Sequence, residues 1–209
     1  MLYQINIKTI QKIDSIEAKT ELVHFMYEEA LCHFLSLPSC KLKESELYSS
    51  PYVLSVIDEL STQIESKQMS TGSFYTNKNL VNQILNEFHI AHKKILDPAG
   101  GTGNFVLESL YRLQRLWQTP SEMICYIKEY IYMNELKHSS IKVCIDRIRL
   151  FSLYAFNEDL SEENINILFE HFTQEDFLLD FHNREGFFDI VLGNPPYLGA
   201  KSLGKDYSA

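Results

Sequence analysis

The stretch Ile95-Leu96-Asp97-Pro98-Ala99-Gly100-Gly101-Thr102-Gly103-Asn104-Phe105 constrains this chain more than any other. An apolar run ends in an acid, passes through a turn with three glycines, and continues into an amphipathic segment. Glycines let a backbone approach a ligand closely, and the bare amides of the turn face outward where a helix starts. A carboxylate at the strand end, Asp97, is suited to a cationic or hydroxyl-rich ligand. Strand-turn-helix units of this kind serve dinucleotides and phosphates as well, but the spacing here fits neither Gly-x-Gly-x-x-Gly nor the lysine-bearing phosphate loop.

Periodicity around this turn predicts alternating strands and helices. Helices are expected over Asn79–His92, Asn104–Trp117 and Ser139–Phe151, and strands over Lys94–Leu96, Tyr130–Met133 and Phe187–Leu192. A further strand is expected within Ile165–Phe172. Such alternation favours an α/β fold with an open, largely parallel sheet covered by helices on both faces. Residues 1–70 differ, because apolar positions recur at helical spacing over Glu17–Leu35 and Pro51–Lys67. That region is expected to be a small helical layer packed on a second unit over 71–209.

Composition narrows the function. A net charge of −9 argues against the chain as a whole gripping a polyanion, since that affinity comes chiefly from Lys and Arg. With no apolar run near the ~20 residues that span a bilayer, a cytoplasmic protein with no membrane partner is expected. Cys32, Cys40, Cys125 and Cys144 have neither zinc-ligand spacing nor a disulfide framework, and the histidines are unpaired, so no metal site is expected. Asp58 with Glu65-Ser66-Lys67 mimics a metal-dependent nuclease signature, but these residues fall on a helical stretch rather than the hairpin that chemistry needs.

A second constellation closes the chain: Phe187-Phe188-Asp189-Ile190-Val191-Leu192-Gly193-Asn194-Pro195-Pro196-Tyr197. Two prolines fix the backbone after Asn194 and remove two donors, leaving carbonyls free to accept. The Asn194 side-chain oxygen and the Pro195 carbonyl can then both accept from one exocyclic amine, while Tyr197 offers a face for stacking a base. Taken alone, the same residues also describe a rigid turn beside a surface tyrosine.

In this order the two motifs resemble N6-adenine-specific DNA methyltransferases of the γ-type arrangement, the kind found in large single-chain restriction-modification enzymes. The resemblance extends to Thr71-Gly72-Ser73-Phe74-Tyr75-Thr76, similar to a family segment that touches the methionine part of the cofactor, although Asn77 replaces the usual proline. Glu135 stands where the family has the acid that accepts the ribose hydroxyls, although Met133 replaces a common glycine. Asp176-Phe177 is similar to the family's pair around the cofactor's adenine. Outside the family, Glu135 reads as a helix cap and Asp176 as an acidic loop residue.

The resemblance implies a Rossmann-like fold dependent on S-adenosylmethionine. The cofactor would be bound by Phe74, Tyr75, Thr76, Asp97, Pro98, Ala99, Gly100, Gly101, Gly103, Phe105, Glu135, Asp176 and Phe177. It implies methyl transfer to a flipped adenine of double-stranded DNA at Asn194, Pro195, Pro196 and Tyr197. The similarity covers Thr71 to about Gly199; the family's later strands and target-recognition domain do not follow. The sheet is therefore expected to be incomplete and the chain to be a truncated or split product, inactive alone. It would reach DNA through regions it lacks or through a complementary polypeptide. Two other readings stay open: a methyltransferase acting on a protein glutamine amide, and a non-enzymatic remnant that binds cofactor.

Overall fold

The computed structural model describes residues 76, 78–177 and 186–194. The expected helical layer over 1–70, together with Phe74, Tyr75, Pro195, Pro196 and Tyr197, lies outside them. In chain order the elements are α1 (Lys78–Asn86), β1 (Ile95–Asp97), α2 (Asn104–Leu113), a 3-10 turn (Gln114–Leu116), α3 (Pro120–Tyr130), β2 (Ile131–Met133), α4 (His138–Phe156), α5 (Glu162–His171) and β3 (Ile190–Val191).

The three strands form one sheet in the order β2-β1-β3, every pair parallel. Ile95 faces Ile131 on one side and Ile190 on the other. Parallel strands cannot be joined by a tight turn, so the chain must return through helices before each new strand. All three residues of β1 are buried. Since successive side chains point to opposite faces, both faces of the central strand are covered. The core around it joins Ile95 and Ile131 to Phe105, Leu110, Met123, Ile127, Ile148 and Phe151.

Two helices depart from the sequence reading. The strand expected within Ile165–Phe172 is instead α5, opened by Ser161, whose hydroxyl accepts from the Asn164 amide, and by Glu162 and Glu163 in its first turn. Acids there complement the positive end of the helix, and the cap outweighs the apolar content that suggested a strand. Among the described residues a single parallel bridge, Asn134 to Thr173, stands beside β2. Helix α3 was not expected, yet Thr119-Pro120-Ser121-Glu122 carries its signal: Thr119 accepts from the Glu122 amide, and proline occupies the first turn.

Boundaries shift for local reasons. Helix α1 stops at Asn86 rather than running to His92, which sits at φ 57° with its amide donating to the Tyr126 hydroxyl at 2.7 Å. Helix α4 continues past Phe151 until Asn157 adopts φ 60° and ends it. Beyond α4, the guanidinium of Arg149 holds Asp159 with two bonds of 3.1 and 2.6 Å. Strand β3 is only two residues long, but Leu192 just beyond it still donates to the Leu96 carbonyl at 2.8 Å.

Candidate functional site

The site is built at the carboxyl end of the sheet, where β1 leads into the glycine turn. Gly101 at φ 54° and Gly103 at φ 86° take the left-handed backbone that side-chain-bearing residues avoid. The Gly103 amide donates to the Gly100 carbonyl at 2.8 Å, closing the turn, and the Gly103 carbonyl accepts from Leu107 at 2.9 Å to begin α2. No side chain fits at Gly103, since a Cβ there would stand 2.2 Å from the sulfur of Cys144 on α4. A Cβ at Gly100 would meet Met133 Cγ at 2.2 Å. Met133, noted above as standing where the family commonly has glycine, thus packs against the turn in the space that Gly100 leaves.

Asp97 ends β1 almost wholly buried, with a relative exposure of 3%. Burial pushes its carboxyl up from 3.8 to about 7; the Ala99 amide, donating at 3.2 Å, opposes this, and the charge of Glu135 adds to it. Glu135 itself is held against the turn. One of its oxygens accepts from the Gly101 amide at 2.9 Å and the other from Lys137 at 2.9 Å. Two carboxyls converge on one turn, and the buried one resists ionisation. A ligand that brings positive charge to Asp97 and hydroxyls to Glu135 therefore fits this donor set.

Sequence reasoning missed the residue that ties these pieces together. Asn134, between Met133 and Glu135, is 2% exposed. Its backbone amide donates to the Asp97 carbonyl, and its own carbonyl accepts from Gly100, both at 2.9 Å. The side-chain amide group donates to the Pro98 carbonyl at 3.2 Å and the Glu175 carbonyl at 3.0 Å. Its oxygen accepts from the Thr173 hydroxyl at 2.9 Å and the Glu175 amide at 3.1 Å. The segment carrying Asp176 and Phe177 is thereby fastened to the glycine turn, and both residues are partly exposed. A polar residue ending an otherwise apolar strand was the available signal.

A second buried group serves the other side of the turn. Arg147, from the middle of α4, donates to the Thr102 carbonyl at 2.7 Å and to the Asn104 side-chain oxygen at 2.8 Å. Asn104 in turn donates to the Thr76 carbonyl at 2.8 Å. Thr76, buried, is thus linked to the start of α2, where Phe105 is buried too. An arginine set in the apolar run of α4 was the sequence signal for this link.

The chain leaving β3 passes beside the turn after β1. A Cβ on Gly193 would lie 3.0 Å from the Asp97 carboxyl oxygen and 2.9 Å from Pro98 Cδ, so the backbone at Gly193 passes close to the side chains of Asp97 and Pro98, with no room for a side chain of its own. Asn194 follows, partly buried. The structure thus gathers Asp97, Pro98, Ala99, Gly100, Gly101, Gly103 and Glu135 at one turn with Thr76 linked to it through Asn104, sets Asp176 and Phe177 just after the Asn134-bound Glu175 and Asn194 just after Gly193, and buries Phe105 in the core. Among the described residues, no group of three or more His, Cys, Asp or Glu is placed to hold a metal, and no helix is long and apolar enough to cross a membrane.

Among known families, the family model for the Eco57I restriction-modification methylase matches residues 57–209, a span that takes in the glycine turn and Asn194 alike. No curated protein matches the chain.

Proposed function

Since the chain belongs to the Eco57I restriction-modification methylase family, we propose that it carries the methyl-transfer pocket of an enzyme that moves a methyl group from S-adenosylmethionine to N6 of adenine in DNA. The observation that carries this reading is the close approach of Gly193 to the side chains of Asp97 and Pro98, which supports a role for Asn194 beside the cofactor-type turn. In this reading the sheet is that of a Rossmann-like methyltransferase, with residues 1–70 as a helical layer and 71–209 as the catalytic unit.

S-adenosylmethionine supplies an electrophilic methyl on a sulfonium. Asp97 would take its ammonium group, Glu135 its ribose hydroxyls, and Asp176 with Phe177 its adenine, while the glycine turn lets the backbone lie close. Phe74, Tyr75 and Thr76 would line the methionine end. Asn194 and the Pro195 carbonyl accept from the target amine, which favours a pyramidal nitrogen with its lone pair free. When bound there, the cofactor would supply its methyl to that nitrogen and leave as the thioether, with the proton of the amine passing to solvent. Tyr197 would stack on the flipped base, replacing part of the stacking lost from the duplex. Pro196 would keep the backbone after Asn194 rigid.

The net charge of −9 supports a DNA-gripping surface located outside this chain, in a further region or a second polypeptide. The test is transfer of a labelled methyl group, with that partner surface supplied, to adenine-containing duplexes, to duplexes lacking adenine, and to a glutamine-bearing peptide. Label on adenine alone supports the proposal. Label on the peptide establishes the glutamine reading, and absence of cofactor binding with no transfer leaves a non-enzymatic protein.

A further inference from the structure

We infer that Asn134 is the positioning residue for the adenine end of the cofactor pocket: it holds the 173–177 segment at a fixed distance from the glycine turn. The inference rests on the proposal that Asp176 and Phe177 meet the cofactor's adenine. Asn134 itself touches no reacting atom.

The side chain of asparagine offers two donors and one oxygen with two lone pairs. At Asn134 all four are used, on Pro98, Thr173 and Glu175. Two of the partners are a carbonyl and an amide of the same residue, Glu175, so the side chain mimics a strand neighbour for that residue. The backbone of Asn134 performs the matching task on β1, bonding Asp97 and Gly100. Among the described residues no β-ladder continues past the Asn134–Thr173 bridge; beyond Thr173 the Gln174 side chain donates to the Leu136 carbonyl at 3.1 Å, and Asn134 adds the two bonds that hold the backbone of Glu175. Losing the Glu175 bonds would remove the constraint nearest to Asp176 and let its carboxylate shift relative to the turn that Glu135 borders.

Aspartate at 134 keeps both acceptors and loses both donors, setting a carboxylate against two carbonyls. Thr173→Val is the gentler perturbation, removing one hydroxyl bond and leaving the bulk of the side chain. The discriminating measurement is the ratio of affinities for S-adenosylhomocysteine and S-inosylhomocysteine, which differ at one edge of the base, where adenine presents an amine beside a bare N1 and hypoxanthine a carbonyl beside N1–H. An acceptor fixed at Asp176 prefers the amine. The wild-type ratio is expected to be large, and to fall about tenfold in Asn134→Asp and about threefold in Thr173→Val. A general loss of folding would weaken both ligands together and leave the ratio unchanged, while lowering the melting temperature. If both variants keep the wild-type ratio, the positioning role is overturned even though the cofactor reading stands. If the wild-type chain binds neither ligand, or binds both equally, the reading of Asp176 fails first and this inference with it.

Discussion

Asp97→Asn tests the electrostatics of the site directly. In the unfolded chain the carboxyl titrates at an ordinary 3.8, whereas burial and the neighbouring Glu135 raise it to about 7 in the fold. Below pH 3.8 both states carry the proton and the group contributes nothing to pH dependence. Between there and pH 7 the native state keeps a proton that the unfolded state has released, so stability falls as pH rises. Above pH 7 the full cost is present: roughly three pH units at about 1.4 kcal/mol each, or about 4 kcal/mol. Asparagine has a similar shape and no charge. Urea midpoints of wild type and Asp97→Asn measured from pH 4 to pH 8 should therefore diverge in favour of the variant, while the titrations of other groups cancel in the difference. A constant effect of the new amide group moves the curve vertically without changing its slope. Added S-adenosylhomocysteine, whose ammonium favours ionised Asp97, should bind wild type more tightly as pH rises through 7. A difference curve that stays flat over this range would refute the account of the buried carboxyl.

Asn194→Ala in the active assembly should abolish turnover, measured as labelled methyl transfer, while cofactor affinity by calorimetry is unchanged. Arg147→Met leaves the Thr102 carbonyl and Asn104 without their donor and should lower stability by about 1–3 kcal/mol by chemical denaturation. Gly103→Ala combines left-handed backbone strain with a collision at Cys144 and should cost at least about 2 kcal/mol. Adding Cys144→Ala should recover the collision part alone, as read from melting temperatures. Cys144, buried with its thiol pushed up to about 12, should resist alkylation at pH 8 under native conditions while exposed Cys125 reacts, as peptide mapping would show.

Much of the fold was legible because its signals are local. The run Ile95-Leu96 ahead of Asp97 is apolar and short, three glycines follow, and Val106, Leu110 and Leu113 repeat at helical spacing, so strand, turn and helix could each be read within a few residues. Helix α5 was misread because Ile165, Ile167, Phe169 and Phe172 also suit a strand; the deciding signal was the cap at Ser161, outside the apolar run. Helix α3 was overlooked for the same reason, its Thr119 and Glu122 carrying more information than its apolar face. In the site, residues with the chemistry of a ligand contact stood out, among them Asp97, Glu135 and Asn194. Asn134 and Arg147 did not, because their partners lie 36 to 45 residues away along the chain. Only the closed sheet makes such bonds visible.

Parallel pairing has a thermodynamic consequence. Because every strand runs the same way, Asp97, Asn134 and Gly193 reach one rim only after the intervening helices have doubled the chain back, and no short peptide from this sequence holds even a rudimentary version of the cleft. A small molecule seated among these three strand ends would therefore act as a cross-link between remote stretches, and its binding free energy would resist unfolding of the whole sheet.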